Sequence, residues 1–257
     1  MCLIAFAWKA HPGYPLIVGA NRDEWHDRPT APAGWWEDHP QVLAGRDLQA
    51  GGTWLGISRS GRFAALTNFR DPSDRKGDAP SRGNLVSNFL GGAEPAHAYL
   101  RALRKVASRY QGFNLLVGDG EALHYFSSRT GSIEAVPAGV HALSNHLLNE
   151  PWPKVVNSKS ALEAALGEEV SEDARQMAIH RFLSNDATVP DAALPDTGVG
   201  REWERVLSPA LIVTDKYGTR CSTVLTIASG GKVEFEERTR DPAGQVTGHV
   251  AFRFTLA

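Results

Sequence analysis

Two short, continuously apolar runs open the chain and limit what it can fold into. Cys2-Leu3-Ile4-Ala5-Phe6-Ala7-Trp8 is broken by His11-Pro12-Gly13, and Leu16-Ile17-Val18-Gly19-Ala20 follows. Runs this short, apolar at every position and bounded by turn residues, suit strands buried on both faces. A sheet buried on both faces needs a layer against each of them.

The rest of the chain supplies those layers. Trp- and Pro-rich sequence from about Trp25 to Gly52 reads as irregular, and strands follow at Trp54 to Ser58 and Arg62 to Thr67. Leu85, Val86, Phe89 and Leu90 then mark a helical stripe. Ala96, Tyr99, Leu100, Leu103 and Val106 mark a second, with Pro95 as a first-turn proline. Phe113 to Val117 and Leu123 to Phe126 flank Asp119-Gly120, a hairpin signal. Ile133 to Val136 and Val140 to Leu143 continue as strands. Ser160-Ala161-Leu162-Glu163 has the form of a capping box, and a further helix runs from about Asp173 to Leu183. Val189 to Gly200 reads as a loop. The end is strand: Val233 and Phe235 alternate with Lys232, Glu234 and Glu236, and Val250, Phe252, Phe254 and Leu256 alternate too, implying one covered face. Runs of strands alternating with runs of helices argue for α+β: two sheets with helices outside them, near 83–107 and 154–184.

Charge and cysteine content exclude some functions. The formal net charge is -2, without the basic excess that nucleic-acid binding favours. No apolar run approaches the ~18 residues that a membrane span requires, and Cys2 to Trp8 lacks the basic flank and cleavage site of a signal peptide. The two cysteines, Cys2 and Cys221, make no disulfide framework, so a reducing, cytoplasmic setting is expected. There is no phosphate-binding loop and no zinc-ligand pair of cysteines; Gly198-Val199-Gly200 lacks the context of a dinucleotide fingerprint. His141 and His146 read as surface or loop residues. Trp35, Trp36 and Trp54 read as core packing, and Cys221 as structural.

Cys2 stands apart because it follows Met1. Cytosolic processing removes Met before a small residue, which leaves a thiol and a free α-amine on one Cα. The amine titrates near ~7.7–8 and can shuttle the thiol proton, so such a Cys can perform acyl chemistry without a histidine base. The plainer alternative is a small buried residue opening a strand. Four apolar runs meet polar residues abruptly: Asn21-Arg22-Asp23-Glu24, Thr67-Asn68, Ser144-Asn145, and Tyr217-Gly218-Thr219-Arg220 before Ser222–Ile227. Asn can donate to a developing oxyanion, and Arg can clamp an anion or orient a neighbour. Asn is equally a turn residue, and Arg22 with Asp23 equally a solvated pair.

Met1-Cys2-Leu3-Ile4, Asn21-Arg22-Asp23-Glu24, Gly51-Gly52-Thr53-Trp54-Leu55-Gly56-Ile57, Ala65-Leu66-Thr67-Asn68, Gly112-Phe113-Asn114-Leu115, Leu143-Ser144-Asn145, Pro151-Trp152-Pro153-Lys154 and Tyr217-Gly218-Thr219-Arg220 occur in that order. They resemble the NRDE family, also called the transport and Golgi organisation protein 2 family. The resemblance covers residues 1–257 as one domain. It implies a four-layer αββα sandwich of the N-terminal nucleophile hydrolase type, similar to the branch holding bile-salt hydrolases and penicillin V acylases. By that analogy Cys2 attacks a carbonyl, Arg22 and Asp23 sit beside the thiol and amine, Asn68 and Asn145 lie near the oxyanion, and Arg220 lies near the nucleophile. No cofactor or metal is expected. Two readings stay open: a hydrolase acting on an amide or acyl-coenzyme A thioester, or a non-catalytic carrier binding haem or acyl-coenzyme A. Substrate identity and oligomeric state are left open by the sequence.

Overall fold

The computed structural model describes residues 2–74, 76–167 and 170–257. Two compact units interleave along the chain. One gathers Met1–Asp27, Ala138–Ser144 and Leu148–Phe254; the other gathers Arg28–Pro137, Asn145–Leu147 and Thr255–Ala257.

The first unit is built on a six-stranded sheet of β1 (Cys2–His11), β2 (Tyr14–Trp25), β10 (Gly139–Leu143), β11 (Tyr217–Ile227), β12 (Lys232–Arg240) and β13 (Val246–Thr255). The order is β10-β1-β2-β11-β12-β13. β1 therefore lies inside the sheet, one strand from its edge. Helices α3 (Pro153–Ala165) and α4 (Glu172–Leu183) cover one face. Ala5, Ala7, Ile17 and Val224 pack there with Trp152, Val155, Leu162, Ile179 and Leu183. Ile4, Phe6, Val18 and Leu225 point to the opposite face and are equally buried. That double burial is the physical reason for the uninterrupted apolar runs.

The second unit is a seven-stranded antiparallel meander whose spatial order follows the sequence. Its strands are β3 (Thr30–Trp35), β4 (Val42–Asp47), β5 (Leu55–Ser58), β6 (Phe63–Asn68), β7 (Phe113–Gly118), β8 (Leu123–Ser127) and β9 (Ile133–Ala135). Helices α1 (Gly83–Gly91) and α2 (Ala96–Arg104) intervene between β6 and β7. Their Leu85, Val86, Phe89, Leu90, Leu100 and Leu103 join Leu115, Val117 and Phe126 in one core. The Gly51-Gly52 pair has a steric cause. Gly51 has φ +77, and a Cβ on Gly52 would lie 2.5 Å from the Gly83 carbonyl carbon, at the start of α1.

The α+β class, the two sheets and the helices near 83–107 and 154–184 agree with expectation. Several boundaries do not. The stretch expected to be irregular before Gly52 contains β3 and β4, whose alternation is masked by Pro and Trp. Ser160 lies inside α3 and starts no helix. The working cap is Ser171, whose hydroxyl accepts the Ala174 amide at the start of α4. Pro95 precedes α2 as its cap residue rather than sitting in its first turn. A short helix, α5 (Arg201–Val206), was hidden behind the loop-like 189–200 sequence. β12 buries residues of both parities, including Glu234 and Glu237, while the apolar residues of β13 stay half-exposed. β12 thus lacks the single covered face that its alternation implied, whereas β13 keeps the alternation, with Val250, Phe252 and Phe254 partly covered between exposed neighbours. His141 is buried beneath Phe6, within 3.0 Å of the Asn149 amide nitrogen, and is not a surface residue.

The α4 face turned towards β12 is polar. Gln176 donates to Glu234, and the His180 ring lies 2.9 Å from the Glu236 carboxylate, which also receives Arg238. Burial pushes His180 down to about 4, outweighing the attraction of Glu236. Burial works to raise Glu236, and the charges and hydrogen bond of its neighbours, Arg238 among them, outweigh it and hold the carboxyl low. The sign for stability follows. As pH falls below 6.5 the unfolded chain protonates His180 and the folded one does not, so stability drops from about pH 6.5 down to about 4. Glu236, held low, adds to the loss at the acid end; Glu172, raised by its hydrogen bond to Glu234, opposes it. Urea unfolding across pH 7 to 4 is expected to lose on the order of 2–3 kcal/mol through His180. His180→Gln should flatten that part of the profile.

Candidate functional site

Cys2 begins β1, and the register decides what stands beside it. Cys2 pairs with Arg22 on β2, and Arg22 pairs with Cys221 on β11. The three form one row across the sheet on the face away from α3 and α4. Cys2 and Cys221 are two strand spacings apart, roughly 10 Å, too far for a disulfide. Both thiols are free and buried. The Ser144 hydroxyl donates to the Cys2 carbonyl at 3.2 Å and ties the strand start to the end of β10.

Burial is the main influence on the Cys2 thiol and pushes its pKa up. The Asp23 charge pushes the same way, while the Arg22 charge and the Asp23 backbone amide pull it down. Cys221 is raised further, first by burial and then by the buried Glu237 carboxylate.

Arg22 stands against Glu24 at 3.9 Å, with its side chain 11% exposed. Asp23 is 2% exposed. Its Oδ1 accepts from the Thr219 hydroxyl at 2.7 Å. The ladder between β2 and β11 shifts register between Thr219 and Cys221, which makes Arg220 the extra residue of a bulge. Arg220 donates to the Trp25 carbonyl at 2.8 Å. Its guanidinium pKa is lowered by burial and then by Arg22. The Arg22-Asp23 and Tyr217–Arg220 segments therefore lie within strands β2 and β11, not beyond their ends. A sheet ladder tolerates such polar residues because its backbone hydrogen bonds ignore side-chain type.

Neighbouring side chains fix this corner. Asn21, fully buried on the helix face, donates to the carbonyls of Leu183 at 2.8 Å and Ala210 at 2.7 Å. Tyr217 packs edge-on against Trp25 and Trp203. Gly218 is required because a Cβ there would lie 2.6 Å from the Ile212 carbonyl oxygen.

Cys2, Arg22, Asp23 and Arg220 thus occupy one corner of the first unit. Asn68 and Asn145 belong to the second, where they meet each other. The Asn145 amide donates to the Asn68 carbonyl at 3.0 Å, and the Asn145 carbonyl accepts the Arg70 amide at 2.7 Å. Nearby, the Asn114 amide donates to Thr67 and to the His146 carbonyl, and Tyr125 donates to Asn114. Thr219, Ser144 and Glu237 escaped the sequence reading. Thr219 and Ser144 lay inside the quoted motifs, and only the register identifies their partners. Among the described residues, no three His, Cys, Asp or Glu side chains form a group that could hold a metal ion. No helix there is long and apolar enough to cross a membrane.

This is an α+β protein with a buried cysteine at the start of a sheet strand and an Arg-Asp pair on the strand beside it. Residues 1–242 match the family described as Transport and Golgi organisation 2, and the chain belongs to that family. The Bos taurus protein named Transport and Golgi organization protein 2 homolog is 38% identical over 93% of both chains. Among solved structures, the chain is similar to a C2A mutant of conjugated bile acid hydrolase from Clostridium perfringens. That match has a TM-score of 0.44, 10% identity, and coverage of 97% of this chain and 92% of that one. It is also similar to the Caenorhabditis elegans ortholog of N-acylethanolamine-hydrolyzing acid amidase, with a TM-score of 0.41, 12% identity, and coverage of 87% and 92%.

The Asn145 side chain is fully buried and joins residues far apart in sequence, so the loss of its bond to the Asn68 carbonyl should read out as stability. Asn145→Ala is expected to cost about 1–2 kcal/mol in thermal or urea unfolding. Asn145→Asp keeps the shape but faces an acceptor with an acceptor, and should cost more.

Proposed function

We propose that this protein is an N-terminal nucleophile cysteine hydrolase acting on the amide or thioester of an acyl compound through Cys2. The reading takes Met1 as removed, so that Cys2 carries the α-amine. The observation that supports it best is the row in which Cys2 lies opposite Arg22, with the buried Asp23 next along the strand.

The α-amine takes the thiol proton, and the sulfur attacks the carbonyl carbon. The C–N or C–S bond to the leaving group breaks, and the departing amine or thiol takes the proton. Water then attacks the acyl thioester on Cys2, releasing a carboxylic acid and restoring the thiol. On this reading Arg22 favours the thiolate by its charge, and Asp23 holds the α-amine. Arg220 braces the same corner. No step is assigned to Asn68 or Asn145.

A second reading has its own support. Burial raises the Cys2 thiol, which leaves it protonated and weakly nucleophilic at neutral pH. That favours a carrier that binds haem or acyl-coenzyme A without turning it over, the thiol serving as packing.

Intact mass after incubation with a panel of acyl-coenzyme A thioesters and N-acyl amides separates the two. The hydrolase should show loss of Met1, an acyl adduct confined to Cys2, and turnover that disappears in Cys2→Ala while ligand affinity persists. A retained Met1, or equal acyl-transfer rates in the wild type and Cys2→Ala, would remove the hydrolase reading and leave the carrier.

A further inference from the structure

We propose that the Arg22 guanidinium is a carboxylate-binding subsite beside Cys2, so that the substrate carries a carboxylate within a few bonds of the carbonyl the thiol attacks.

The register carries the argument. Arg22 stands opposite Cys2 in the β1–β2 ladder and opposite Cys221 in the β2–β11 ladder, so the three side chains share one face. Cross-strand neighbours of this kind have Cβ atoms about 5 Å apart. Ala20 and Glu24 lie on the same face, two residues to either side of Arg22. Gly218, opposite Glu24, brings no side chain. The guanidinium is therefore surrounded by two thiols, one methyl group and one carboxylate. Thiol sulfur is a weak acceptor. The Glu24 carboxylate stands at 3.9 Å, an ion pair beyond hydrogen-bond reach, and its other oxygen already accepts the Trp25 N–H at 3.0 Å.

Among the described residues, no hydrogen bond reaches the Arg22 guanidinium, although its side chain is only 11% exposed. The more deeply buried arginines are used differently. Arg62 donates to the Phe89 and Glu94 carbonyls, Arg175 to those of Ala165 and Val170, and Arg240 to that of Gly244. Their donors are consumed by the chain itself, whereas Arg22 keeps its fork for something else. Five N–H donors in a planar fork match the two oxygens of a carboxylate, and leaving them unmet away from water is costly. A neutral amide or thioester leaves the fork unmet; a substrate with a carboxylate near its reacting carbonyl fills it.

The subsite rests on the reading of Cys2 as the reactive centre, and the test reads the sulfur rather than turnover. Iodoacetate and iodoacetamide alkylate the same thiolate by the same displacement of iodide and differ in the carboxylate. Their rate ratio at Cys2 therefore cancels the thiol pKa and reports the preference for the anion. Rates are followed on the full chain by peptide mass spectrometry, with the urea-unfolded chain as baseline and circular dichroism as the folding control. Hydrogen bonds to a charged group lead to a ratio at least about tenfold above that baseline. Arg22→Gln should return the ratio to the baseline. Arg22→Lys keeps the charge without the fork and should fall between. Glu24→Gln removes the neighbouring negative charge and should raise the ratio. A wild-type ratio equal to that of the unfolded chain overturns the proposal. So does a folded Arg22→Gln variant that keeps the preference, or a native Cys2 that neither reagent reaches. If Arg22→Gln does not fold, Glu24→Gln takes its place, and an unchanged ratio there overturns the proposal. An Arg22-dependent preference in a protein that turns over no acyl substrate retains the subsite and loses only the hydrolase reading.

Discussion

The antiparallel register of β1, β2 and β11 is the constraint on which the Cys2 centre depends. Side chains alternate along a strand, so a slip of one residue would send Cys2 and Arg22 to opposite faces. Gly19 guards against that slip. A Cβ at this position would lie 2.5 Å from Ile179 and 2.9 Å from Phe182 of α4. Val18 and Ala20 flank Gly19, and either would press into the helix if β2 moved by one residue. The residue that lets α4 settle on the sheet thus also fixes which residues of β2 face Cys2.

Given that register, polar groups accumulate where burial is deepest. Cys2, Asp23, Thr219, Cys221 and Glu237 are all below a tenth exposed. Burial discourages a thiolate, and a neighbouring carboxylate discourages it further. Arg22 and the Asp23 amide oppose both. Hydrolase and carrier readings therefore turn on a balance of charges rather than on the presence of a thiol. A proton held on Cys2 leaves the thiol as packing, whereas an α-amine able to take that proton makes it a nucleophile.

The seven-stranded unit achieves its order by different means. Its strands follow one another in space, so most of its sheet contacts are between sequence neighbours. Gly52 also approaches the start of α1 at backbone distance, and the Arg62 guanidinium reaches the Phe89 and Glu94 carbonyls. The Asn145–Asn68 and Asn114–His146 bonds join the short 145–147 segment to β6 and β7 of this unit. There these amides serve as local staples for backbone that no ladder satisfies.

Much of the fold was legible in the residues. The uninterrupted apolar run of β1 required burial on both faces, Asp119-Gly120 marked the β7–β8 hairpin, and the stripes at 85–90 and 96–103 marked α1 and α2. The motifs marked the corner of β1, β2 and β11 as well. Less legible were strands whose pattern is interrupted, such as β3 and β4. Polar strand residues were likewise missed, because Asn21-Arg22-Asp23-Glu24 looks like a turn when its ladder partners are unknown. The chain order by itself determined that Cys2 stands at a strand start, that Gly occupies positions 19, 52 and 218, and that Arg and Asp adjoin at 22 and 23. Only the tertiary structure decided that Thr219 grips Asp23 and that Asn145 grips Asn68. A hydrogen bond between residues 196 positions apart is set by strand register and by the segments packed behind it, and neither is written in local spacing.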